Sequence, residues 1–246
     1  MSHIRALAAV AALVLSASSH AQGTPTPGTD PSTRPPVVET PAEPYFIVTR
    51  VDARKCAYPV CGGYFVKAVN SALTRCADGK LAKECHAVEL DTRALGWSDE
   101  QRAKFEASFG QAKALVKGAL EPQPRGLYTG EVLRVVEAWQ GQGSNKRPMG
   151  TFYSLKNNGI VCIQAPCPSF SVTALNRSMP ERTIDAPEFS PAHAADAAVA
   201  SAWIALEKGP ILAAGAVVPF PGFSMTGAKV YGRKLLTSEF YLPAQP

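Results

Sequence analysis

Histidine is the first shortage. The chain of 246 residues holds four, and two of them, His3 and His20, fall at its very start. Beyond that start only His86 and His193 are available for proton transfer near neutral pH. No Gly-x-Ser-x-Gly elbow, no His-Glu-x-x-His pair and no glycine-rich phosphate loop ahead of a helix occurs. Charge is sparse as well: charged residues are 18 % of the chain and the net charge is +5. The cations are dispersed as Arg50, Arg54, Lys55, Lys67, Arg75, Lys80 and Lys83, with no basic helix and no RNA-type aromatic motif. A nucleic-acid partner is therefore not expected, since such binders concentrate charge on one face. Long apolar runs are missing too, apart from Ala6–Leu15, and that run is shorter than a membrane span of about 20 residues.

That single run belongs to a leader. Arg5 precedes it and Ser19-His20-Ala21 follows, so residues 1–21 read as a signal peptide cut near Ala21. Residues 22–44 hold seven prolines and little apolar surface, the composition of a disordered tether. The expected product is secreted or periplasmic, with no membrane span, and its folded part begins near Tyr45.

What is present is an echo. Cys56-Ala-Tyr-Pro-Val-Cys61, followed by an alternating strand and Asn70, returns as Cys162-Ile-Gln-Ala-Pro-Cys167 and Asn176 at an offset of 106. Phe46 aligns with Phe152, and Val66 and Ala68 with Val172 and Ala174. A second match sets Gly118-Ala-Leu-Glu-Pro122-Gln-Pro124 on Gly215-Ala-Val-Val-Pro219-Phe-Pro221. The chain thus reads as a first unit over 45–139, a linker over 140–149 and a second unit over 150–246.

Strand patterns fall at 45–51, 63–70, 85–90, 114–120 and 127–139 in the first half. Ser98 and Gln101 form a capping-box pattern for a helix bearing Phe105 and Phe109, ended by Gly110. In the second half Ser190-Pro191 is expected to cap a longer helix with Val199, Trp203 and Leu206 as its apolar stripe. His193 then sits in that helix's first turn. The expectation is an α+β fold: two tandem β-β-β-α-β-β units with mainly antiparallel sheets, each carrying one packed helix. Most aromatics, among them Tyr45, Phe65, Trp139 and Trp203, read as core.

Six cysteines allow 15 pairings. The echo favours Cys56–Cys61 and Cys162–Cys167, leaving Cys76 and Cys85 to clamp a hairpin around Ala77-Asp78-Gly79. The alternative, in which Cys56 and Cys61 cross to Cys76 and Cys85, leaves the echo unexplained. Export supports disulfides. A zinc site would want four convergent ligands at closer spacing, so no metal and no cofactor is expected.

A family resemblance rests on these same residues. It is carried by Tyr-Phe-Ile-Val-Thr-Arg at 45–50, the Cys56 motif through Asn70, and Thr74-Arg-Cys-Ala-Asp-Gly79. Glu84 to Asp91, Glu137-Ala-Trp139, Gly150-Thr-Phe-Tyr153, Asn158 to Cys167 and Leu175-Asn176 extend it. Together they resemble a family of secreted bacterial proteins grouped as domain of unknown function 6748. The resemblance implies an exported, disulfide-bonded, duplicated domain and brings no catalytic residue with it. It departs at His86, where an aromatic is expected, which weighs against a shared catalytic role there.

No residue is therefore assigned as catalytic, and the balance is against an enzyme. The leading reading is a non-enzymatic binding module. Two short loops bracketed by cysteines, with Tyr58 and Pro59 in one and Gln164 and Pro166 in the other, would present rigid surfaces to another exported protein or an envelope component. Plain stapled turns are the simpler alternative. The competing function is a cell-envelope hydrolase that pairs His86 with a nearby carboxylate, Glu84, Glu89 or Asp91.

Overall fold

In a computed structural model, the described residues are 43–57, 60–223 and 226–244. The leader and most of the proline-rich stretch lie outside them. Twelve strands join in one sheet. The first-half members are β1 (Tyr45–Val51), β2 (Tyr64–Ala68), β5 (Cys85–Ala87), β6 (Glu89–Asp91), β7 (Ala114–Arg125) and β8 (Tyr128–Gly141). The second-half members are β9 (Thr151–Asn157), β10 (Phe170–Ala174), β11 (Arg182–Ile184), β12 (Ala186–Glu188), β13 (Ile211–Phe223) and β14 (Lys229–Pro243). Two further short strands, β3 (Thr74–Arg75) and β4 (Leu81–Ala82), make a separate hairpin. The order is β11-β10-β9-β13-β14-β8-β7-β1-β2-β5, all antiparallel, with β12 parallel to β14 and β6 parallel to β8.

This overturns the α+β expectation of two tandem β-β-β-α-β-β units. The protein is predominantly antiparallel β, and a single sheet crosses both halves. The join is a three-residue ladder in which Tyr241 faces Gly141, Leu242 faces Gln140 and Pro243 faces Trp139. It forms where β14 runs on past Tyr241, the last residue of its ladder with β13, and lies along the edge of β8 opposite β7, which already pairs with Trp139 and Gln140. The stretch 85–90 also splits in two. β5 pairs with β2, while β6 leaves that edge to pair with β8. Pro122 and Pro124 do not close β7, which continues to Arg125 opposite Tyr128.

Both described α-helices are short. α1 (Asp99–Glu106) has the full capping box, with Ser98 Oγ accepting from Gln101 N and Gln101 Oε1 accepting from Ser98 N. Phe105 packs edge-on against Phe109 at 5.3 Å. α2 (Asp196–Lys208) starts later than expected, after Ala195. Ser190–Ala192 form a separate 3-10 turn, and His193 is its left-handed cap with φ 50. The expected helix-start position of His193 is thereby corrected: Ala194 and Ala195 separate it from α2. Trp203 is 40 % exposed, propped edge-on against Phe189 and Phe170.

The strand alternation sorts the core onto two faces. Phe46, Val48, Ala114 and Val116 point to one face and join Phe105 and Phe109. Ile211 and Ala213 do the same with Ala202 and Leu206 of α2. The other face gathers Ile47, Val69, Leu115 and Trp139 with Leu175, Leu212 and Tyr241, so its cluster draws on both halves and includes no helix residue. Burying each such side chain stabilises by about 1.5–3 kcal/mol. Bulges at Lys117/Gly118 and Ala214/Gly215 turn the long hairpins, and a Cβ at Gly118 or Gly215 would run into the carbonyl of Arg134 or Leu236.

Two asparagines lock the halves. Asn176 accepts from Tyr45 N (2.8 Å) and donates to Tyr45 O (2.8 Å) and Val69 O (3.0 Å). Asn70 accepts from Phe152 N (2.8 Å) and donates to Phe152 O (2.7 Å) and Leu175 O (2.8 Å). Both sit in the left-handed region, at φ 58 and 55, which asparagine tolerates better than most residues. Each side chain acts as a substitute strand residue, satisfying both backbone groups of the other half's first strand.

Candidate functional site

Three disulfides are present: Cys56–Cys61, Cys76–Cys85 and Cys162–Cys167. The first bracket is anchored at its Cys61 end, with Cys56, Ala57 and Val60 exposed. Cys61 is buried, Ala57 O accepts from Val60 N, and Arg54 donates to Val60 O at 3.1 Å. Tyr58 and Pro59, singled out as candidate contacts in that loop, lie outside the described residues.

The second bracket points outward. Its base is pinned by consecutive Asx turns: Asn157 Oδ1 accepts from Gly159 N (2.9 Å) and Asn158 Oδ1 from Ile160 N (3.0 Å). Asn158 Nδ2 also ties back to Pro168 O at 2.7 Å. Val161 just before the bracket and Ile163 just inside it are 93 % and 101 % exposed. Gln164 and Pro166 are half-buried behind them, and the Ala165–Pro166 bond is cis. The outermost side chains of the loop are thus aliphatic. The run Gly159-Ile160-Val161 was the available signal for this, an apolar stretch stranded between a strand and a cysteine.

His86 does not meet the carboxylates expected for it. Glu84 instead pairs with Arg50 at 3.2 Å. Asp91 is held by Arg93, whose hydrogen bonds bring its carboxyl down to about 2. The carboxylate at the ring is Asp52, with His86 Nε2 3.2 Å from its Oδ2 and 2.7 Å from Gly62 O. Both oxygens of Asp52 accept from the Arg54 side chain, chiefly for that reason holding its carboxyl far below the usual range. Phe65 stacks on the imidazole at 5.2 Å and Arg50 covers Phe65 at 3.4 Å. The arrangement is a tilted cross-strand ring pair in which Nε2 is engaged by Gly62 O and Asp52. Asp52-x-Arg54 and Asp91-x-Arg93 are the sequence pattern that signals such self-contained turns.

Cys76, Cys85 and Glu131 bring three potential ligand atoms within 4.8 Å of one another. Both sulfurs are bonded to each other, so the trio offers a metal one carboxylate. Glu131 is pushed up from the ordinary carboxylate range by burial, and its Oε2 has no hydrogen-bond partner.

A cleft of about 660 Å³ lies on the helix-free face. Ile47 and Val69 contribute its floor, with Phe152 from the second half. Cations from four separate segments line it: Arg50, Lys67, Arg147 and Arg177, against one carboxylate, Glu84. Charge that is scattered in sequence is therefore concentrated here by the fold. His86 does not line it.

Fold and site together define a disulfide-bonded, predominantly antiparallel β protein with an apolar loop tip and a basic cleft. The chain belongs to the family described as a domain of unknown function, DUF6748, whose pattern matches residues 45–246. No curated protein and no solved structure matches it. No helix among the described residues is long and apolar enough to cross a membrane.

Proposed function

We propose that the chain is an exported, non-enzymatic binding module, working in the periplasm or outside the cell after loss of residues 1–21. It engages another exported protein or envelope component through the clamped loop at 159–166. The observation that carries this reading is the near-complete exposure of Val161 and Ile163 on a loop pinned at both ends. Exposed aliphatics gain nothing for the fold, and a loop already held in place loses little entropy on binding. The loop at 57–60, with Tyr58 and Pro59, is the second candidate contact, and Gln164 and Pro166 back the first. The three disulfides fit an oxidising compartment. The hydrolase alternative draws no support from the cleft, which His86 does not line, or from Glu84 and Asp91, which are held by Arg50 and Arg93.

The test compares the exported wild type with Val161→Ser/Ile163→Ser and with Tyr58→Ala/Gln164→Ala as baits in cross-linking against envelope fractions. A partner captured by the wild type should be lost from the first variant at unchanged melting temperature. Equal capture by wild type and both variants refutes the proposal.

A further inference from the structure

We propose a second, independent site: the basic cleft binds a compact oligoanion, a ligand bearing two or more phosphate or carboxylate groups. Four cations converge on it from β1 (Arg50), β2 (Lys67), the turn before β9 (Arg147) and the turn after β10 (Arg177). They differ in how they are held. Arg177 Nε donates to Asn70 O at 2.9 Å, and Arg50 is fixed by Glu84 and the face of Phe65. Lys67 and Arg147 have no carboxylate within ion-pair distance among the described residues. Ion pairing varies elsewhere: Arg54–Asp52, Arg93–Asp91, Arg134–Glu121 and Lys156–Glu181 are paired, while Lys55, Lys83, Lys104 and Lys208 have no ion pair among the described residues, so it is convergence on one concavity that sets these cations apart. Leaving two unpaired at one concavity, beside two pre-positioned guanidiniums, concentrates positive potential where a ligand can enter.

The volume, about 660 Å³, is that of a small-molecule site. Two arginines favour planar oxyanions, which they grip with paired donors. The apolar floor at Ile47, Val69 and Phe152 gives a ligand's carbon frame a surface to rest on. Because the cations lie on four segments, one anionic group cannot satisfy them all, and a ligand with several is selected. The same chemistry is offered by a free oligophosphate and by clustered phosphates on an anionic surface.

The experiment titrates the full exported chain with tripolyphosphate by calorimetry and, in a second arm, measures flotation with vesicles of phosphatidylcholine and phosphatidylglycerol. The variants are Lys67→Glu/Arg147→Glu in the cleft and Lys208→Glu on the exposed end of α2. Two charge reversals should weaken binding at least about tenfold, while Lys208→Glu changes it less than about twofold. Saturable tripolyphosphate binding with that pattern supports the site and a free ligand. Vesicle binding alone with that pattern supports it with a surface phosphate as the source. The inference is overturned if neither probe binds, or if Lys208→Glu weakens binding as much as the cleft variant. Circular dichroism of each variant, unchanged from wild type, ties a lost signal to the cleft.

Discussion

Removing Glu239 should unseat the join between the two halves of the sheet. Its side chain is fully buried and ion-paired with Lys113. Oε1 accepts from Gln142 N (2.9 Å), Gly143 N (2.6 Å) and Phe240 N (3.2 Å), and Oε2 accepts from Lys113 Nζ. Lys113 Nζ donates in addition to Gly143 O at 2.7 Å. Glu239→Leu therefore takes the carboxylate from Gly143 N and Phe240 N, leaves Gln142 N with Phe240 O alone at 3.0 Å, and leaves an ammonium with one carbonyl. Breaking a buried pair from one side costs about 3–5 kcal/mol. For a folded part of this size, that is a fall in melting temperature of roughly 6–20 °C. Lys113→Met is milder, because the carboxylate keeps its three N–H donors. It should cost less than Glu239→Leu by about 1–3 kcal/mol, the penalty for orphaned donors. The double variant should cost less than the sum of the singles, since neither charge is then left buried alone. Urea denaturation with the disulfides intact measures all three. If both singles fall below about 1 kcal/mol, or Lys113→Met proves the worse, the reasoning about the seam is wrong.

Asn176→Ala removes three hydrogen bonds to Tyr45 and Val69 and places alanine at φ 55, so it should destabilise by about 2–4 kcal/mol in the same assay; Asn176→Gly, which relieves only the backbone, should recover less than half of that. The Asp91 carboxyl, lowered to about 2 by the Arg93 hydrogen bonds, contributes stability that is present above its unfolded value near 3.8 and lost as pH falls towards 2. Because Arg93 is largely solvent-exposed, screening limits the contribution to about 1 kcal/mol. Wild type should therefore exceed Arg93→Ala by that amount at pH 7, with the gap closing by pH 2; a gap constant with pH refutes the linkage.

Local features were legible wherever the signal was itself local. The β-branched and aromatic run at Tyr45–Val51 marks β1 with its observed bounds, and Ser98 with Gln101 marks the cap of α1. Features set by distant pairing were not. Nothing around Val88 announces that β6 will abandon the edge beside β5, because the reason is its parallel ladder with Val132 to Arg134. Pro122 reads as the stop of a strand over 114–120, yet the ladder with β8 runs through it and Pro124 to Arg125. The merging of the sheet depends on Tyr241 meeting Gly141, a contact between segments that no window of sequence contains. For the site, the Asp-x-Arg turns explain why Asp52, and not a neighbour in sequence, reaches His86. The convergence of Lys67 with Arg147 likewise follows from packing alone.

The seam and the cleft are physically the same region, which constrains how the cleft can work. Asn70 lines the cleft, holds Arg177 through its carbonyl oxygen, and binds Phe152 through its side chain. Phe152 in turn contributes to the floor. A displacement of one half against the other would thus move Arg177 and Phe152 away from Arg50 and Lys67, and spread the cations. The reciprocal asparagine bonds, the Lys113–Glu239 pair and the β8–β14 ladder all oppose that displacement. An anion bridging Lys67 and Arg177 would oppose it too, because those cations stand on opposite halves and repel each other when the cleft is empty. Ligand binding and closure of the seam are then coupled in one direction. A ligand that spans the cleft should raise the melting temperature, and Asn176→Ala, which loosens the seam, should lower the ligand's affinity without touching a cation.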